Sequence, residues 1–318
     1  MEKTPSRWAT AAHFASIYLV WGSTYLAILF AIRSIPPLLM AGTRFLLAGA
    51  ILYSAARLAG AARTRLGDWR TAAIVGACLL FGGNGGVTLA EQYIPSGLAA
   101  LIVATIPIYI ALLGWLVGMS PRPNAISAAG LAGGFTGVGL LVGPALTFSG
   151  HGESPRAWIG MCILLCSSLI WSAGSLYSRR TQTAGSPFLA AGQQMLCGGA
   201  LLAIAGISAG ELQRLELSQI TLQSLGAFAY LVIIGGILGY ASYAWLLRHC
   251  EPAKVATYAY VNPIVAVLLG TSFAGEKLSM RMIVAAALII GSVALVITTD
   301  QRKSTTLPKA LAPPAGAC

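Results

Sequence analysis

The run WATAAHFASIYLVWGSTYLAILFAIRSIPPLLMAGTRFLLAG, residues 8–49, decides the fold, because the chain repeats its plan 150 residues later. Shifted by that offset, residues 5–52 align without a gap on residues 155–202 and match at 13 of 48 positions. The matches include Pro5/Pro155, Trp8/Trp158, Trp21/Trp171, Pro37/Pro187, Gly42/Gly192 and Gly49/Gly199. Further on, an offset of 156 aligns Pro107-Ile108 with Pro263-Ile264 and Leu112-Leu113-Gly114 with Leu268-Leu269-Gly270. The chain reads as two like halves.

Composition says what solvent those halves meet. Of 318 residues, 57% are hydrophobic and 9% charged, whereas a water-soluble domain carries about 25% charged residues. A membrane helix needs about 20 mostly apolar residues. Ten windows qualify: 10–31, 37–58, 71–90, 97–118, 125–143, 158–178, 187–208, 223–247, 253–274 and 281–299. Short joints with breakers separate them, among them Pro36-Pro37, Pro95-Ser96-Gly97, Pro121-Arg122-Pro123 and Glu251-Pro252. The first window is longer than the apolar core of a signal peptide and no small-residue cleavage site follows it, so it is expected to stay as a helix.

The expected fold is an all-α integral membrane bundle of ten transmembrane helices. Helices 1–5 fall in residues 10–143 and helices 6–10 in residues 158–299, while residues 300–318, with Pro308, Pro313 and Pro314, read as a disordered tail. Because five is odd, the second half enters the bilayer from the opposite side, making an inverted repeat. That plan recurs among secondary transporters, where two opposed halves open a central site to each side in turn.

The net charge of +11 could indicate a nucleic-acid partner, but Lys and Arg occur in short clusters between apolar runs rather than on one face. They read instead as a topology signal. One side of the bilayer collects 14 basic residues, including Arg57, Arg63, Arg65 and Arg70, and the other side five. Both termini are therefore expected in the cytoplasm.

Several chemistries are not expected. The six cysteines form no CxxC pair, so neither a metal site nor a disulfide framework is expected, and no cofactor motif is present. No HExxH, GxSxG or Walker sequence appears, and His13, His151 and His249 lie at window ends, which argues against an enzyme. An intramembrane enzyme and a flippase for lipids or lipid-linked intermediates stay as alternatives to a carrier of small molecules.

Trp21-Gly22-Ser23-Thr24-Tyr25, Pro36-Pro37, Arg44-Phe45, Ala90-Glu91 before Pro95-Ser96-Gly97, and Tyr260-Val261-Asn262-Pro263 with Gly275-Glu276-Lys277 resemble the EamA-type exporters of the drug/metabolite transporter superfamily. The resemblance covers residues 10–299 and implies two inverted EamA repeats around a central cavity in a bacterial inner membrane. It implies export of amino acids, metabolites or drugs. One departure stands out: the family's Gly-Glu-Lys/Arg after the fourth helix of a repeat is kept as Gly275-Glu276-Lys277 but replaced by Met119-Ser120-Pro121-Arg122 in the first half.

Candidate site residues follow from polarity at depth. Arg44 is a formal charge well inside a window, about 10 Å below the outer end of helix 2 by helical rise. Such a charge faces a cavity or a partner, so Arg44 either holds an anionic substrate group or pairs with Glu91; its repeat mate is Gln194. Asn84, Thr88 and Glu91 share one stripe at i, i+4, i+7. Glu91 is the candidate for proton coupling, and a loop cap facing water is the alternative. Gly82-Gly83-Asn84-Gly85-Gly86 is read as a flexible segment bordering the cavity, with simple close helix packing as the alternative. Trp21, Tyr25, Trp171, Ser175, Tyr109, Tyr240, Tyr243, Tyr258 and Asn262 complete the proposed pocket, and Pro107 and Pro263 are expected to bend helices 4 and 9. Glycines at four-residue spacing on helix 5 suit packing within the bundle or against a second copy in a homodimer.

Overall fold

The computed structural model describes residues 6–61, 64–119, 122–146, 156–181, 186–250, 255 and 257–304. Among these residues every regular element is helical. Seven helical runs are long and apolar enough to cross a membrane: α1 (Arg7–Ala31), α2 (Pro37–Leu58), α3 (Leu66–Ala90), α4 (Ser96–Leu116), α6 (Ala157–Arg180), α7 (Pro187–Ser208) and α8 (Leu222–Leu246). The remaining long helices are α5 (Ala125–Leu146), α9 (Tyr258–Phe273) and α10 (Met280–Ser304), whose apolar stretches are shorter.

Helix starts follow local chemistry. The Ser6 side chain accepts a hydrogen bond from the Ala9 N–H at the head of α1. Pro37 and Pro187 occupy the first turns of α2 and α7, where a missing N–H costs nothing. Glycine then sets how closely helices approach. A Cβ at Gly42 would lie 2.6 Å from the Ala203 nitrogen and one at Gly49 2.9 Å from the Leu196 nitrogen. In return, a Cβ at Gly192 would lie 2.8 Å from the Tyr53 nitrogen and one at Gly199 2.8 Å from the Leu46 nitrogen. Position 42 meets 199–203 while 49 meets 192–196, so α2 and α7 run antiparallel with backbones touching. Small residues at the crossing permit that approach. Gly133 and Gly137 of α5 similarly lie against Ser292 and Ile289 of α10, which places these two glycines inside the bundle.

The outward surface is apolar. Leu47 and Ile51 on α2 are each 50% exposed and Leu268 on α9 is 60% exposed. A belt of this kind is stable only against lipid or another apolar surface.

Four points depart from the sequence reading. α10 continues through residues 300–304, which were expected in a disordered tail, and residues 305–318 lie outside the described part. Helix 9, expected from residue 253, starts at Tyr258; residues 251–254 and 256 lie outside the described part. The bend expected at Pro107 is an interruption: α4 is helical over Ser96–Val103 and again over Ile106–Leu116, with Pro107 in the first turn after the break, while α9 continues through Pro263. Cys78, Cys162, Cys166 and Cys197 are free thiols, but Cys250 is disulfide-bonded.

Candidate functional site

A cavity lies between the helices. Trp21, Thr24, Tyr25 and Ile28 of α1 form one wall. Arg44 and Phe45 of α2, with Gly83, Asn84 and Val87 of α3, form the next. Ser167, Ser168 and Trp171 of α6 face them, and Gly235 and Tyr240 of α8 with Tyr258 and Asn262 of α9 close the ring. Val103 and Ile106 flank the interruption in α4, so the break itself borders the cavity.

Aromatic rings fill one side. Trp21 and Trp171, the matched tryptophans, meet edge to face at 6.2 Å between centroids. Trp21 also packs on Tyr243 at 4.9 Å and on Tyr258 at 5.2 Å. Each tryptophan is held by a glycine in a widened helical turn. α3 is π-helical over Ala77–Asn84 and α8 over Leu231–Tyr240. A Cβ at Gly83 would lie 2.5 Å from the Trp171 ring, and one at Gly239, which is Gly83 plus 156, would lie 2.8 Å from the Trp21 indole nitrogen. π-Helical segments are rare and gather at functional sites.

Polar contacts repeat the same correspondence. Arg44 donates through Nη2 to Asn84 Oδ1. The Tyr240 hydroxyl donates to Gln194 Oε1 at 2.7 Å. Gln194 is Arg44 plus 150 and Tyr240 is Asn84 plus 156, so equivalent α2–α3 and α7–α8 bridges occupy the two halves. The halves differ in charge: Arg44 is the one formally charged side chain among the residues lining the cavity. It is 3% exposed, its guanidinium lies 4.4 Å over the Phe45 ring, and its Nε has no hydrogen-bond partner.

Eight of the twelve residues expected at a binding site line this cavity: Trp21, Tyr25, Arg44, Asn84, Trp171, Tyr240, Tyr258 and Asn262. Tyr243 and Gln194 stand one layer behind, touching Trp21 and Tyr240 respectively. The Ser175 hydroxyl donates to the Trp171 carbonyl at 2.8 Å. Tyr109 turns away and packs on Phe135 of α5 at 5.9 Å, so the cavity and Tyr109 are not brought together. Ser167 and Ser168 were missed; their spacing of three and four residues before Trp171 places them on its face of α6 and is the signal that would have found them.

Glu91 lies one residue beyond α3, is 3% exposed, and has no hydrogen-bond partner on either carboxylate oxygen. Burial is the main cause pushing its carboxyl well above the usual carboxylate range; the charge of Glu276 adds to this and Arg44 opposes it. Thr88 lies between, fully buried, with its hydroxyl donating to the Asn84 carbonyl.

The model of the EamA-like transporter family matches residues 9–143 and 158–298. The chain belongs to the EamA-like transporter family. This EamA chain is 39% identical over 284 residues to the uncharacterized inner membrane transporter YedA of Escherichia coli strain K12, covering 88% of both proteins. It is 27% identical to a probable amino-acid metabolite efflux pump of Salmonella typhimurium, covering 86% of this chain and 91% of that protein. A solved crystal structure aligns with 94% of this chain and 99% of its own at a TM-score of 0.64 and 24% identity, which shows a shared fold. With its apolar helices, the chain is a multi-pass membrane transporter.

Proposed function

We propose that this transporter is a secondary-active carrier of the bacterial inner membrane that exports a small organic anion by alternating access. The observation that carries the reading is the placement of Arg44, one unbalanced cation in an otherwise aromatic and neutral cavity. A carboxylate would complete the guanidinium's hydrogen bonds in a charge-assisted pair, and the rings of Trp21, Trp171 and Tyr258 suit a flat apolar body. The Salmonella relative's name as an amino-acid metabolite efflux pump supports a carboxylate-bearing cargo.

Ten crossings as two inverted repeats, residues 10–143 and 158–299, with both termini cytoplasmic, complete the proposal. Three correspondences support it: the Gly42/Gly199 and Gly49/Gly192 contacts of antiparallel α2 and α7, the Trp21–Gly239 and Trp171–Gly83 contacts, and the two side-chain bridges. Glu91, buried and unpartnered near Arg44, is the proposed site of proton coupling. A proteoliposome uptake screen of amino acids, aromatic carboxylates and cationic drugs, with Arg44→Ala beside wild type, tests the reading. Anionic compounds should enter wild-type vesicles and fail with the variant; uptake no faster than in empty vesicles for every compound would remove it.

A further inference from the structure

α2 and α4 share an unusual start. The N-cap residue of each is proline, Pro36 and Pro95, and neither supplies a side-chain hydrogen bond to its own helix. Both helices receive that cap from far along the sequence. Glu211 accepts from the Leu38 and Leu39 N–H groups at 3.2 and 2.8 Å. Glu276 accepts from the Ser96 N–H at 2.7 Å, the Ser96 hydroxyl at 2.6 Å and the Gly97 N–H at 3.0 Å.

The two glutamates are delivered by one device. Each ends the tripeptide Ala-Gly-Glu, Ala209-Gly210-Glu211 after α7 and Ala274-Gly275-Glu276 after α9. The glycines are left-handed, with φ of +73° and +68°, a conformation that stops a helix and turns the next residue aside. Glu211 is 5% exposed, and a Cβ at Gly206 would lie 3.2 Å from its carboxylate. A Cβ at Gly97 or Gly270 would likewise press on the Glu276 carboxylate. Both carboxylates are thus held in fitted niches between helices that the sequence offsets pair: α2 with α7, and α4 with α9.

The opposite ends of the same pairs have the turn without the acid. α2 ends at Gly60 with φ of +88° and α4 at Gly118 with φ of +71°, but the next residues are Ala61 and Met119. The geometry points to Glu211 and Glu276 as twin latches that hold one face of the carrier shut, with no such carboxylate cap among the described residues at the other face. Resting on the topology proposed above, the latched face is the outer one. Opening outward then requires both carboxylates to leave helix starts whose own N-cap prolines supply no bond, whereas opening inward breaks no carboxylate cap of this kind among the described residues. The latches thereby bias the empty carrier toward the inward-open state, ready to load cargo for export.

Vesicles of known sidedness, carrying the full-length chain with Ser168→Cys as a cavity reporter, test this with a membrane-impermeant sulfonated methanethiosulfonate. Labelling is read above that of the same chain without the reporter. Glu211→Ala with Glu276→Ala should raise the labelling rate from the outer face at least fivefold and lower it from the inner face. Ala61→Glu, which offers the Phe188 and Leu189 N–H groups of α7 the cap that Glu211 gives α2, should shift both rates the opposite way. If the alanine pair fails to reach the membrane, the Ala61→Glu arm and the milder Glu276→Gln stand in its place. Rates within twofold of wild type at both faces in every variant, or rates rising equally at both faces, would overturn the latch. A gain at the inner face instead would keep the latch and overturn the orientation. Labelling reads gate position and not transport, so its outcome is separate from that of the cargo screen.

Discussion

Arg44 and Gln194 occupy equivalent places in the two halves, yet only one carries charge. An arginine buried to 3% exposure with an unsatisfied Nε is costly unless a ligand or cavity water completes it. Arg44→Lys keeps the charge but loses the fork that matches a carboxylate. Transport of an anionic cargo should fall at least tenfold in that variant, read as kcat/KM in vesicles, with protein yield unchanged. Glu91→Gln should leave transport that no longer responds to an imposed proton gradient; full sensitivity to the gradient in that variant would remove the coupling role. Much of this was legible from residue type and depth alone, since Trp21, Arg44 and Trp171 were singled out by charge and repetition. Side-chain direction was not. Tyr109 sits at a suitable depth but points at Phe135, because one residue of rotation on a helix changes the facing neighbour by about 100°.

At the scale of elements, the glycine cluster of α3 showed in the sequence but its π-helical path did not. Periodicity reports which face is apolar and is blind to one extra residue in a turn. The widened turns over Ala77–Asn84 and Leu231–Tyr240 bring Gly83 and Gly239 against the two tryptophans. Gly83→Ala should therefore force Trp171 aside and destabilise the bundle by about 1–3 kcal/mol, seen as a lower Tm in detergent. Gly139 has open space around its Cβ position, so Gly139→Ala should leave Tm unchanged or slightly higher. Equal losses in both variants would argue against tight seating of the tryptophan.

For the whole molecule, hydropathy gave most helix positions to within a few residues, with windows 37–58 and 187–208 matching α2 and α7 end to end. The antiparallel contact between those helices brings together glycines that the 150-residue match pairs, as the proposed inverted repeat would require. What the sequence left open was the caps at Glu211 and Glu276, since their partners stand 172 or more positions away. Orientation is checked by reporter fusions. If the proposed topology with both termini in the cytoplasm holds, a fluorescent protein fused after residue 318 should light up and a periplasmic alkaline phosphatase at the same place should stay inactive. Alternating access around Arg44 is tested most directly by counterflow in proteoliposomes. With vesicles preloaded with an unlabelled aromatic carboxylate that the screen finds to be cargo, wild-type protein should accumulate the labelled compound transiently above its outside concentration, and Arg44→Ala should not. Equilibration without any overshoot would contradict a carrier that exposes one site to each side in turn.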